Sequence, residues 1–177
     1  VKNRVELFDL EKTREYLDKA KAFVENIGAS GKQILFASGK SESKAPIVEQ
    51  ANILGMPYVA GRWLGGTLTN FVQLKTRVAR LVDLREKRVK GELAKYTKKE
   101  RLLIDREIER LEEMFGGILP MKDLPGVLFV IDGKKEKTAV AEAKKMRIPV
   151  VALIGSDCDL DEVSYPIPAN DSSSSSI

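Results

Sequence analysis

The residues best placed to do chemistry form one segment, Arg62-Trp63-Leu64-Gly65-Gly66-Thr67-Leu68-Thr69-Asn70-Phe71, which joins an arginine, the single tryptophan, two glycines and three small polar groups ahead of a helical stretch. That chemistry suits a phosphate-rich ligand such as RNA. Arg62 can pair a phosphate or stack on a base, Gly65 and Gly66 let backbone come close to a sugar-phosphate chain, and Thr67, Thr69 or Asn70 can cap a helix whose start attracts phosphate. A second reading stays open: Trp63 and Phe71 as core, with the glycines forming a turn.

Basic residues supply the next candidates. Between Lys75 and Arg101 stand 11 Lys and Arg against 4 Asp and Glu, an excess of 11 − 4 = 7 that exceeds the +4 of the whole chain. Lys75, Arg77, Arg80, Arg85, Lys87, Arg88 and Lys90 read as one basic face, and Lys95, Lys98, Lys99 and Arg101 as a basic tip. A merely solvated face would interleave signs, as Asp105, Glu107, Glu109, Glu112 and Glu113 do further on, so the tip is the favoured phosphate contact.

Other chemistries fail on residue type or spacing. Gly39-Lys40-Ser41 follows an apolar run as a phosphate loop would, but Ile34 stands where that motif needs its first glycine. Gly61, Gly65 and Gly66 lack the dinucleotide-fingerprint spacing. With no His, neither a Ser-His-Asp nor a Cys-His nucleophile can be built. Cys158, the single cysteine, excludes an internal disulfide and has no cationic neighbour to activate it. Asp157, Asp159 and Asp161 alternate like a calcium loop, yet Glu162 replaces its glycine and Pro168 its bidentate glutamate. The remaining carboxylates read as surface charge, so no cofactor, metal or small-molecule substrate is expected. No apolar run is long enough for a membrane span or a signal peptide, and one cysteine suits a reducing compartment, so the expected location is cytoplasmic.

These residues need a scaffold, and 177 residues with 43% hydrophobic content allow one sizeable core. Asp9 caps a helix over 11–27, with Tyr16, Leu17, Ala20, Phe23, Val24 and Ile27 at helical spacing. Residues 33–37 read as a buried strand, 45–54 as a helix with Pro46 in its first turn and Gly55 as its stop, and 58–60 as a strand. The alternation resumes with strands at 127–131 and 150–154, a helix over 136–146 carrying Val140, Ala143 and Met146 inward, and an extended piece at 165–167. This pattern predicts a doubly wound parallel α/β sheet, Rossmann-like or flavodoxin-like, with helices on both faces.

Between its halves, residues 70–115 contain no Pro and one Gly. Phe71, Leu74, Val78, Leu81, Arg85 and Val89, then Ile104, Ile108, Leu111 and Phe115, give the seam of a protruding antiparallel coiled-coil hairpin. Thr97 and Glu100 form a capping box that starts its second helix. The expected division is an α/β body of 1–69 and 116–177 with the hairpin, 70–115, inserted; the serine run 172–176 is assigned no structure.

Tyr58-Val59 followed by residues 62–71 resembles the most characteristic motif of the bacterial-type protein-two family of the small ribosomal subunit. Lys98-Lys99-Glu100, Gly116-Gly117-Ile118, Pro125 with Phe129-Val130-Ile131-Asp132, Glu136, Glu142, Ile148-Pro149 and Ile167-Pro168-Ala169-Asn170-Asp171 agree in order and spacing. Ser156-Asp157-Cys158-Asp159-Leu160 departs from the family's Thr-Asn-Cys-Asp-Pro, and the family's His-bearing segment ahead of the first helix has no counterpart here. The resemblance implies a non-enzymatic structural component on the solvent side of the subunit, between head and body. It further implies binding to small-subunit rRNA and to neighbouring ribosomal proteins, including the large mRNA-binding protein one, which it helps to anchor. The alternative from another class is a nucleotide-dependent enzyme on a Rossmann-like sheet.

Overall fold

The computed structural model describes residues 8–170, so the serine run 172–176 lies outside the described residues, as do residues 1–7 and the side chain of Asp161. Five parallel strands, β1 (Ile34–Ser38), β2 (Tyr58–Ala60), β3 (Val127–Ile131), β4 (Val150–Ile154) and β5 (Tyr165–Pro168), form one sheet in the order β2-β1-β3-β4-β5. This is the flavodoxin-like order of doubly wound sheets, which reverses direction between β1 and β3. Leu35 pairs with Leu128 and Leu128 with Val150, so aliphatic side chains of neighbouring strands line up on one face.

Period-two alternation divides those side chains between two cores. Leu35, Ala37, Leu128, Val130, Val150, Ala152 and Ile154 face one side. Ile34, Phe36, Phe129, Ile131, Val151, Leu153 and Ile167 face the other. The second face is covered by α1 (Leu10–Ala29) and α2 (Ser41–Leu54). Asp9 caps α1 by accepting from the Glu11 and Lys12 N–H groups at 3.1 and 3.3 Å, and Phe23 stacks on Tyr165 at 4.2 Å between ring centres. The first face is covered by α5 (Lys137–Lys145) together with the long pair α3 (Phe71–Val89) and α4 (Lys98–Phe115).

α2 begins four residues ahead of its predicted start, at Ser41, and Pro46 stands in its interior rather than in its first turn. The Ser38 and Ser43 hydroxyls bond one another, and Ser43 Oγ donates to the Lys40 carbonyl at 3.0 Å, so polar residues that read as loop are held in the helix by local side-chain bonds. Gly55 ends α2 at φ +63°.

α3 and α4 pack on one another and run antiparallel. Arg88 and Asp105 meet near the connection, while Leu74 and Phe115 line one cleft at the far end. Gly91 at φ +72° and a 3₁₀ turn over Glu92–Lys95 make the reversal. The Thr97–Glu100 capping box is present: the Thr97 N–H donates to Glu100 Oε2 at 2.8 Å and the Glu100 N–H to Thr97 Oγ1 at 3.4 Å. The seam differs at its outer end. Val89 is 88% exposed while Leu84, absent from the predicted stripe, is buried at 3%. The buried seam residues Leu74, Leu81, Leu84, Ile108, Leu111 and Phe115 belong to the same core as Leu35 and Val130 of the sheet.

Candidate nucleic-acid interface

The loop 61–70 leaves the edge strand β2, crosses the first sheet face and feeds α3. Its shape is set by a residue far away in sequence, Glu142 on α5. Glu142 Oε1 accepts from the Gly66 N–H at 2.7 Å and from Trp63 Nε1 at 3.2 Å. Oε2 accepts from the Leu68 and Thr69 N–H groups at 2.9 and 3.1 Å and from Thr69 Oγ1 at 3.2 Å. The loop is thus a concave array of N–H donors, the arrangement that commonly holds an anion, and here the anion is a side chain of the same chain. Burial pushes the Glu142 carboxyl up, but the Gly66, Thr69 and Leu68 N–H groups and the Trp63 indole together outweigh it and hold the group below its ordinary value.

The residues of the motif therefore divide. Trp63 is buried in the core, and Thr67 is buried with its hydroxyl donating to the Leu64 carbonyl at 2.6 Å. Gly66 sits at φ +95°, where an added Cβ would lie 3.3 Å from Asn70 Cβ, so glycine answers a backbone requirement there. The segment presents Arg62, Gly65, Thr69 and Asn70 to solvent.

Sequence reasoning counted the carboxylates as surface charge and so missed Glu142. A signal existed: Ala139 and Met146 lie three and four residues to either side of Glu142 along the inward face of α5, and a glutamate on an apolar stripe calls for buried donors.

The hairpin cations divide as well. Arg80 pairs with Glu107 at 3.2 Å, Arg85 with Glu112 at 2.7 Å and Arg88 with Asp105 at 3.7 Å, all across the two helices. Lys87 pairs with Asp83 at 2.8 Å and Lys90 with Glu86 at 3.1 Å within α3, and Lys75 reaches Asp123 at 3.5 Å. The one-signed face read from the sequence is thereby largely matched by acids brought alongside it. Arg77, Lys98, Lys99 and Arg101 are exposed and have no acidic partner within 4 Å among the described residues, and Lys95 lies 5.5 Å from the Tyr96 ring centre. The acid among the tip lysines, Glu100, is turned onto Thr97, whose N–H and hydroxyl lower its pKa.

Doubly wound enzymes hold cofactors at the strand C-termini where the sheet reverses. In this chain Lys40 Nζ meets Asp132 Oδ2 there at 2.9 Å, with both side chains mostly buried. Glu136, 5% exposed, accepts the Gly39 N–H, and burial raises its carboxyl above the ordinary value. A Cβ on Gly39 would come within 2.6 Å of Glu136 Oε1. The backbone donor that would meet a phosphate is already paired with a carboxylate.

Comparison with known proteins supplies the family. The model described as Ribosomal protein S2 matches residues 1–177. Proteins named small ribosomal subunit protein uS2 are similar along the chain. That of Coprothermobacter proteolyticus is 45% identical over 170 residues, 96% of this chain and 63% of the relative. That of Mycobacteroides abscessus is 44% identical over 170 residues, 96% and 61%, and that of a Roseiflexus species 44% over 176 residues, 99% and 67%. The chain thus spans 61–67% of the length of these curated relatives.

Proposed function

The chain belongs to the ribosomal protein S2 family, and on that premise we propose that it is a structural, non-enzymatic constituent of the small ribosomal subunit that binds small-subunit rRNA in the cytoplasm. The observation that carries the RNA contact is the hairpin tip, where Lys95, Lys98, Lys99 and Arg101 are exposed while the acid among them is engaged in a helix cap. Phosphate recognition needs cations that have no closer counter-charge, and the flank cations opposite Glu107, Glu112 and Asp105 do not meet that condition. Residues 70–115 act in this reading as a unit inserted between the body segments 1–69 and 116–177. Its buried seam is shared with the body core.

Neighbouring small-subunit proteins, the large mRNA-binding protein one among them, are the proposed protein partners. No helix of the described residues is long and apolar enough to cross a membrane. The nucleotide-dependent enzyme finds no support in the family matched, and Glu136 and Asp132 engage the donors such an enzyme would aim at a phosphate.

The test is binding to small-subunit rRNA assembled with its early proteins, against unrelated RNA of equal length, across a salt series. A saturable preference whose affinity falls steeply with salt is expected. Equal binding of the two RNAs would refute the specific role.

A further inference from the structure

Three clefts follow one another across the first sheet face. The first, about 490 Å³, lies at the strand ends and includes Arg62 and Gly65. The second, about 650 Å³, includes Gly65, Asn70, Gln73 and Arg77. The third, about 430 Å³, runs along the helix pair and includes Arg77 and Arg110. Gly65 borders the first two, and Arg77 and Phe115 the last two, so each cleft adjoins the next.

We propose that these three clefts form one track for an unpaired RNA strand, with phosphates on Arg62, Arg77 and Arg110 and bases in the clefts between them. This deepens the rRNA-binding reading above and rests on it. The three arginines are exposed and have no acidic partner within 4 Å among the described residues, unlike Arg80, Arg85 and Arg88 nearby. Of the carboxylates bordering the track, Glu107 is paired with Arg80 at 3.2 Å and Glu136 is buried, turned onto the Gly39 N–H. The loop N–H groups do not compete for phosphate, because Glu142 already holds them.

Each cleft falls in the range of about 300–1,000 Å³ that takes one drug-sized ligand, and hence one nucleotide. A duplex keeps its bases stacked inside and cannot place them there. Half-buried Leu64 and Met114, above the buried Leu74, Leu111 and Phe115, form the apolar part of the floor, and the guanidinium planes at the rim can stack on bases without strong sequence preference. The side-chain amide of Asn70 makes no bond to its own helix, and Asn70 and Gln73 are exposed beside Arg77, where they can meet base edges.

The experiment is fluorescence anisotropy of the full chain with labelled oligouridylate and oligoadenylate of about ten nucleotides and with an RNA duplex, beside the assembled small-subunit rRNA. Arg62→Glu, Arg77→Glu and Arg110→Glu are each expected to weaken strand binding about tenfold, with both homopolymers bound alike and the duplex bound less well. Lys21→Glu, exposed on α1 against the opposite sheet face, should change strand binding by less than about twofold. Arg77→Ala, with the melting temperature measured for every variant, separates lost contact from lost fold. Duplex bound as tightly as strand, or arginine variants that bind strand normally, would overturn the track. If the unaltered chain binds rRNA but no oligonucleotide, the track falls and the ribosomal reading stands; if it binds neither, both fall.

Discussion

Two long helices of this chain begin in opposite ways. α3 starts after a loop whose donors are turned inward onto Glu142, with no acidic residue in its first turn and no side-chain cap from Asn70. α4 starts with a self-contained capping box and points its cations, Lys98, Lys99 and Arg101, outward. The first start is built by a partner more than seventy residues away; the second is built entirely within four residues. Polar residues in a motif whose residue types suit RNA can therefore be scaffold, while the exposed cations of a locally capped helix start stay available to a ligand. The deciding fact is whether the group already has a partner.

The contrast breaks most directly at Glu142. Glu142→Ala removes the acceptor of three N–H groups and an indole, and urea unfolding should show a loss of roughly 3–4 kcal/mol. Glu142→Leu, equally unable to accept, should not recover it, whereas Glu142→Gln should recover part. A loss under about 1 kcal/mol would mean that water replaces the carboxylate and the loop is not built on it.

Gly66→Ala comes next. Held at φ +95° against Asn70, alanine should cost roughly 1–3 kcal/mol. A stable Gly66→Ala variant with weakened RNA binding would restore the reading of Gly66 as a close-approach residue.

The two buried glutamates give a pH signature of opposite sign. Glu142 is held below its ordinary value of 4.5, so it contributes stability that is present above 4.5 and is lost as pH falls through its folded value. Glu136 is raised above 4.5, so its charge weakens the fold near neutrality, and that weakening is relieved as pH falls through its folded value toward 4.5. Unfolding free energy measured against pH should show a shallower acid-side decline in Glu142→Gln and a smaller gain between neutrality and 4.5 in Glu136→Gln. Identical profiles for the two variants would contradict the opposed environments.

Thr97→Ala should cost about 1 kcal/mol by thermal melting, the usual worth of a helix cap, and shift the tip without touching the loop. A melt unchanged by Thr97→Ala would mean that the 3₁₀ turn alone sets the start of α4.

What the sequence made legible were features closed within a few residues: the Asp9 cap, the Gly55 stop, the Thr97–Glu100 box and the apolar runs that became β1, β3 and β4. Strand order was not legible, because it rests on pairings such as Leu35 with Leu128, nearly a hundred positions apart. The start of α2 was misread although its partners are near: Ser41, Glu42 and Ser43 have loop-favouring side chains, and the Ser43 hydroxyl instead bonds Ser38 and the Lys40 carbonyl, five and three residues back. Val89 was placed in the seam by continuing a period beyond the last buried turn of α3. In the candidate site, the residue types in 62–71 were visible but their partner was not, and the hairpin charge could be counted but not its pairing. Arg80 with Glu107 and Arg88 with Asp105 meet only because the helices fold back on one another.

The central claim, that unpaired charge at the hairpin tip makes the RNA contact, is tested most directly by the salt dependence of rRNA binding for Lys98→Glu/Lys99→Glu/Arg101→Glu against the unaltered chain, with melting followed in parallel. We expect weaker binding, a log–log salt slope shallower by about 2–3, as the loss of three phosphate contacts gives, and a stability change within about 0.5 kcal/mol, as for surface substitutions. Unchanged affinity and slope in a normally folded variant would contradict it.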